Sequence, residues 1–128
     1  MKLLIEAQSP LGFWMLTDDK QADIRTIAEI YQKQEMLYAK VIELDPKALI
    51  KTCRMCSGIK KNKSLLGMDI IWDLKKNQNE WTSGFILDPE SGKEYDCKLW
   101  MVGNDEIMVR GYYKLPIFGK TKIWTRIK

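Results

Sequence analysis

Val109-Arg110-Gly111-Tyr112, Pro116-Ile117-Phe118-Gly119-Lys120-Thr121 and Trp124-Thr125-Arg126 close the chain, and they decide its fold. The first and last blocks read as two strands, with a Gly- and Pro-bearing connection between them. Their counterpart lies at the other end, in Gly12-Phe13-Trp14. A Gly-x-Trp opening strand and a Trp-x-Arg closing strand predict a β-barrel whose ends meet. Gly12 lets the first strand approach its neighbour closely, and Arg126 stacked on the Trp14 indole is the expected contact at the seam. Gly12, Trp14, Gly111, Gly119, Trp124 and Arg126 are therefore read as structural anchors.

Between these ends the apolar period is mostly two. Residues 11–17 form a first strand, and Asp18-Asp19-Lys20 is a polar turn. Residues 23–33 are ambiguous, because Ile24, Ile27, Ala28 and Tyr31 also fit one face of a helix. Strand is preferred, since Ile, Thr and Tyr favour it and Lys33-Gln34-Glu35 turns directly into residues 36–44. Alternation places Met68, Ile70, Trp72 and Leu74 on one face of a further strand. Trp81, Ser83, Phe85 and Leu87 share a face of the next. Asp88-Pro89-Glu90-Ser91-Gly92 is a turn, with Pro presetting φ and Gly accepting a positive one. Tyr95, Cys97, Leu99 and Met101 alternate with Glu94, Asp96 and Lys98, and residues 107–113 and 121–127 finish the chain. The expectation is an all-β, eight-stranded antiparallel up-and-down barrel with one long loop at about 45–66. Closure of this kind removes the sheet edges, and its interior holds side chains or one small ligand. Residues 11–128 are expected to be a single domain, and residues 1–10 a signal-like remnant. Leu3, Leu4 and Ile5 are too short a run for a working signal core.

Composition excludes more than it assigns. The 128 residues carry 21 basic and 17 acidic side chains, a net charge of +4, too mild to point to nucleic acid. The chain has no histidine. That removes Ser-His-Asp and Cys-His catalysis and makes a His-rich catalytic zinc untenable. Asp18-Asp19 and Asp88-x-Glu90 sit in turns, where carboxylates bond local backbone. No enzyme activity, metal or cofactor is expected.

The candidates for binding lie in the barrel and in its long loop. Trp72, Phe85, Tyr95, Leu99, Met101 and Tyr113 are expected to face inward, either lining a pocket for an apolar molecule or filling a core. Arg110 is next. Inward, it would pair with a ligand carboxylate or with an internal acid, for which Glu29 is the candidate; outward, it is a surface charge. Residues 46–63 carry Lys47, Lys51, Arg54, Lys60, Lys61 and Lys63 with no acidic residue. Such a loop attracts an acidic headgroup, an acidic partner or a membrane surface, or simply stays solvated. Cys53 and Cys56 within it admit three readings: a structural disulfide, a redox pair or a metal site. The disulfide is preferred, since the βαβ setting of redox motifs and further metal ligands are both missing. Cys97 reads as a buried core thiol.

These residues carry a resemblance. Gly12-Phe13-Trp14, Glu29-Ile30-Tyr31, the Cys53/Cys56 pair, Ile86-Leu87-Asp88-Pro89-Glu90-Ser91-Gly92-Lys93-Glu94-Tyr95-Asp96-Cys97-Lys98-Leu99, Val109-Arg110-Gly111-Tyr112, Phe118-Gly119-x-Thr121 and Trp124-x-Arg126 resemble the bacterial domain-of-unknown-function family 2147. The resemblance runs from Leu11 to the end. It implies a lipocalin-like barrel, related to small-ligand carriers, in an exported protein that is periplasmic or secreted. It implies no reaction. The chain departs from the family in lacking a full signal peptide. The function expected is non-enzymatic carriage of a small hydrophobic or amphipathic, lipid-like ligand. The alternative is a ligand-free envelope module that uses the basic loop.

Overall fold

The computed structural model describes residues 9–17 and 23–127. The Asp18-Asp19-Lys20 turn and most of the signal-like remnant lie outside them. Eight strands follow in order: β1 (Gly12–Thr17), β2 (Arg25–Lys33), β3 (Met36–Leu44), β4 (Asp69–Asn77), β5 (Glu80–Asp88), β6 (Lys93–Val102), β7 (Glu106–Tyr112) and β8 (Gly119–Arg126). Each pairs antiparallel with the next, and β1 closes on β8 through Trp14 opposite Arg126 and Met15 opposite Thr125. The architecture is the eight-stranded barrel expected from alternation, and residues 23–33 are strand.

The period-two pattern works because one face of each strand is buried. Trp14, Ala28, Ile30, Leu37, Ala39, Val41, Cys97, Leu99, Ile107, Val109 and Trp124 all belong to one core cluster. In-register pairs such as Leu99–Val109 and Ile107–Trp124 stack it across neighbouring strands.

Alternation fails in β4 and β5, for a local reason. Asp73 and Ser83 both have positive φ, 63° and 62°, and the β5–β6 register shifts between Trp81 and Gly84. An extra residue of this kind reverses the facing of everything beyond it. Ile71 and Leu74 are fully buried in the core, together with Ile70. Trp72 instead packs with a second cluster of Cys53, Cys56, Leu65 and Leu87, separate from the barrel core. Phe85 lies on the outside, its ring tilted against that of Trp72 with centroids 6.0 Å apart, and is exposed. The inward placement of Trp72 and Phe85 expected from alternation is thus corrected. Leu74 fills the place where a side chain at position 84 would stand: a Cβ on Gly84 would come within 2.7 Å of its Cγ.

The strands alternate in direction, so the connections fall at two ends. One end has tight turns. Gln34 and Glu35, both at positive φ (53° and 67°), join Lys33 to Met36 as a two-residue hairpin loop. Residues 78–79 and 103–105 serve β4–β5 and β6–β7. The other end carries the long connections, 45–68, 89–92 and 113–118.

Candidate ligand site at the barrel mouth

The tight-turn end is sealed. The Arg126 guanidinium lies over the Trp14 ring, 4.4 Å from its centroid. It donates to the carbonyls of Asn104 (2.6 Å), Leu11 (2.9 Å) and Ser9 (2.6 Å). Trp14 Nε1 donates to the Pro10 carbonyl at 2.9 Å. Gly12 sits at φ 133°, and a Cβ there would approach Arg126 Nη1 to 2.8 Å, so glycine is what lets the arginine cross the seam. Above this plug, Leu37, Leu74, Leu99 and Ile107 are fully buried, Trp124 is nearly so, and Met101 packs against the same core.

Packing loosens toward the long-loop end. Ile86 and Leu16 are only partly buried against the core. Ile86 fills the place that a side chain at Gly111 would take: a Cβ there would come within 3.0 Å of Ile86 Cγ2. Tyr95 pairs with Ile86 and shares the inward face of Cys97 and Leu99. Here an open depression of about 640 Å³ is lined by Ser57, Gly92, Lys93, Glu94, Tyr95 and Tyr113. Of the residues expected to line a pocket, only Tyr95 and Tyr113 border it. Ser57, Lys93 and Glu94 were not foreseen, because nothing local in the sequence shows that the long loop folds back toward the start of β6.

Arg110 faces outward. It pairs with Lys98 and Thr121 across the sheet, on the face opposite Val109 and Gly111. Its Nε and Nη2 donate to the Pro116 carbonyl (2.9 and 2.6 Å), and its Nη1 donates to Thr121 Oγ1 (2.9 Å). The guanidinium therefore braces the 113–118 loop, and its partners are not Glu29. Gly119 belongs to the same corner: a Cβ there would run into the Gly111 carbonyl and Tyr112.

The 45–68 loop is folded. Thr52 bridges Ser64, Cys53 N–H donates to the Lys63 carbonyl (2.8 Å), and Asn62 N–H returns to the Cys53 carbonyl (2.8 Å). Cys53 and Cys56 form a disulfide and are buried with Leu65 and Leu87, so the loop has a small core of its own. Gly92 locks it to the β5–β6 turn: at φ 76°, a Cβ would overlap the Met55 carbonyl. Lys60 lies 3.6 Å from the Trp72 ring centroid and pairs with Glu94 at 3.3 Å. With Met68 and Asp69 they line a second open depression, of about 360 Å³, on the outer wall. Lys47 pairs with Asp23. Lys51, Arg54, Lys61 and Lys63 are exposed.

One thiol and several phenols of the barrel are held neutral. Burial pushes the Cys97 thiol up to about 12. Burial first, then the hydrogen bond to Asp69 at 2.6 Å, raises the Tyr31 phenol. Tyr112 is raised by burial and by Asp96. Among the described residues no group of His, Cys, Asp or Glu side chains is arranged to hold a metal ion. No described helix is long and apolar enough to cross a membrane.

The fold has a counterpart among solved structures. Protein HP1028 from the human pathogen Helicobacter pylori, described as belonging to the lipocalin family, superposes with a TM-score of 0.80. The two share 20% sequence identity over 94% of this chain and 84% of that one. No curated protein matches the chain. The model of a family of uncharacterized proteins conserved in bacteria, DUF2147, matches residues 12–126, and the chain belongs to that family.

Proposed function

We propose that this protein is a non-enzymatic carrier that takes a small hydrophobic or amphipathic ligand, lipid-like and acidic, at the open mouth of its barrel. One observation carries the reading. A sealed, packed floor under Leu99 and Ile107 gives way to a 640 Å³ depression bordered by Tyr95 and Tyr113. Two tyrosine rings beside a serine, a lysine and a glutamate offer an amphipathic molecule both apolar contact and polar partners. Lys93 at that rim supplies a cation for an acidic head, a role Arg110 is badly placed to fill. The lipocalin-like fold supports small-ligand binding in general. The Cys53–Cys56 disulfide favours an oxidising compartment, in keeping with a periplasmic or secreted protein.

Native mass spectrometry of the protein purified from its own envelope tests this. A discrete added mass that disappears on denaturation is expected, as is uptake of a long-chain fatty acid by the stripped protein. Tyr95→Ala, which removes an aromatic wall of the depression, should lower that uptake at least tenfold. A bare mass with no uptake from a lipid mixture overturns the reading.

A further inference from the structure

The exposed apolar side chains of this protein are not scattered. Among the described residues, every large hydrophobic more exposed than Ile123 (51%) lies in one of two connections at the open end, 45–68 and 113–118. Ile59 (89%), Leu49 (82%), Ile117 (76%) and Phe118 (60%) lead them. Both loops are held in shape: the first by the Cys53–Cys56 disulfide, the second by Arg110 on the Pro116 carbonyl. Ser57 from one and Tyr113 from the other border the same depression, so the two loops meet at the open end. Single scattered apolar side chains are ordinary on a protein surface, but a cluster of this exposure on one rim marks an interaction site.

The charges on that rim are of one sign where the tips project. Residues 46–63 hold six cations and no carboxylate. Lys51, Arg54, Lys61 and Lys63 are exposed, and Lys114 and Lys120 flank Phe118 in the same way. Acids at this end have partners of their own: Glu94 pairs with Lys60 and Asp23 with Lys47, Asp45 accepts from the Arg25 and Lys47 N–H groups, and Asp88 accepts from the Glu90 N–H and the Ser91 hydroxyl.

We propose that the open end of the barrel docks on the surface of an anionic lipid bilayer. The tips of both loops enter the interface, and the surrounding lysines and Arg54 meet the headgroups. An acidic protein partner would account for the cations and leave Ile59, Leu49, Ile117 and Phe118 unexplained. Such separate tips would each need a matching pocket in a protein, whereas acyl chains conform to any of them. Each cation near an anionic leaflet adds about 1 kcal/mol, and the buried apolar tips add to that. Docking of this kind turns the mouth depression toward the membrane, yet does not depend on whether that depression holds a ligand.

Flotation with vesicles of phosphatidylcholine alone, and of phosphatidylcholine with about one-third phosphatidylglycerol, tests the proposal. At least tenfold preference for the anionic vesicles is expected, falling as salt rises. Ile59→Ser combined with Ile117→Ser should lower binding at least tenfold, and so should Arg54→Glu combined with Lys63→Glu. Lys33→Glu with Lys75→Glu, at the sealed end, should leave it unchanged. Absence of binding to anionic vesicles overturns the proposal, as does equal loss from the sealed-end pair. Binding that survives loss of Ile59 and Ile117 also overturns it, by reducing the contact to charge alone. Tyr95→Ala separates the two functions: it should lose fatty-acid uptake and keep vesicle binding.

Discussion

Arg126, the last residue of β8, lies 4.4 Å over the ring of Trp14 and ties three carbonyls together, those of Ser9, Leu11 and Asn104. One guanidinium thus joins β8, the β6–β7 turn and the segment entering β1. Arg126→Ala should cost roughly 1–3 kcal/mol in chemical denaturation, since three backbone acceptors lose a charged donor and the indole loses its cation. Arg126→Lys should recover only a small part of this, because an ammonium cannot span three acceptors in a plane. Full recovery by lysine would show that charge alone matters at the seam.

Reduction of Cys53–Cys56 should remove about 2 kcal/mol, the chain-entropy value for so short a loop, without opening the barrel. The effect should be local. Amide exchange in residues 51–65 should accelerate, while β6 and β7 keep their protection. Loss of barrel protection on reduction would show that the loop's small core with Leu65 and Leu87 supports the whole fold.

Gly92→Ala is expected to act through the same loop. It combines a positive φ with a collision against the Met55 carbonyl. A destabilisation of roughly 1–3 kcal/mol is expected, with faster proteolysis between residues 54 and 61. An unchanged melting curve would mean that the loop can retreat freely.

Arg110→Ala should release the 113–118 loop and little else. The lost bonds are charge-assisted, worth about 1.5–3 kcal/mol locally, and amide exchange in that loop should rise accordingly. Fatty-acid uptake should be unaffected. A large drop in uptake with the loop still protected would instead assign Arg110 to the ligand.

Alkaline pH should weaken the fold through Cys97. Its folded value of about 12 lies above the ordinary 9, so the neutral thiol is the form the barrel accepts. The unfolded chain ionises first. Stability is therefore fully present below about pH 9 and is lost as the pH rises from there toward 12. Denaturation midpoints from pH 8 to 11 should fall, and Cys97→Ala should flatten that fall without abolishing it, since Tyr31 and Tyr112 are raised in the same direction. In the native state Cys97 should resist thiol reagents at pH 8. Rapid labelling without unfolding would contradict its burial.

Much of the fold is legible in the chain because a barrel wall with one buried face writes a period of two. Residues 94–101 show it plainly, and Cys97 and Leu99 lie inside as alternation requires. The candidate site is less legible. Trp72 and Phe85 were assigned inward by a count that Asp73 and Ser83 interrupt. Aspartate tolerates the left-handed region, but nothing in Ile71-Trp72-Asp73-Leu74 says that it adopts it. Arg110 had three readings, and the choice fell to the Pro116 carbonyl six residues on.

By itself the sequence determined the class of architecture, the meeting of its ends at Trp14 and Arg126, and the absence of histidine chemistry. Those follow from periodicity, from residue types and from an alphabet that lacks one letter. Only the tertiary structure decided which wall faces in beyond each bulge, that Cys53 and Cys56 are bonded, and that the 45–68 and 113–118 loops share one rim. Facing and adjacency depend on register between strands far apart in the chain. Register is a cooperative property of the closed barrel that no local run of residues carries.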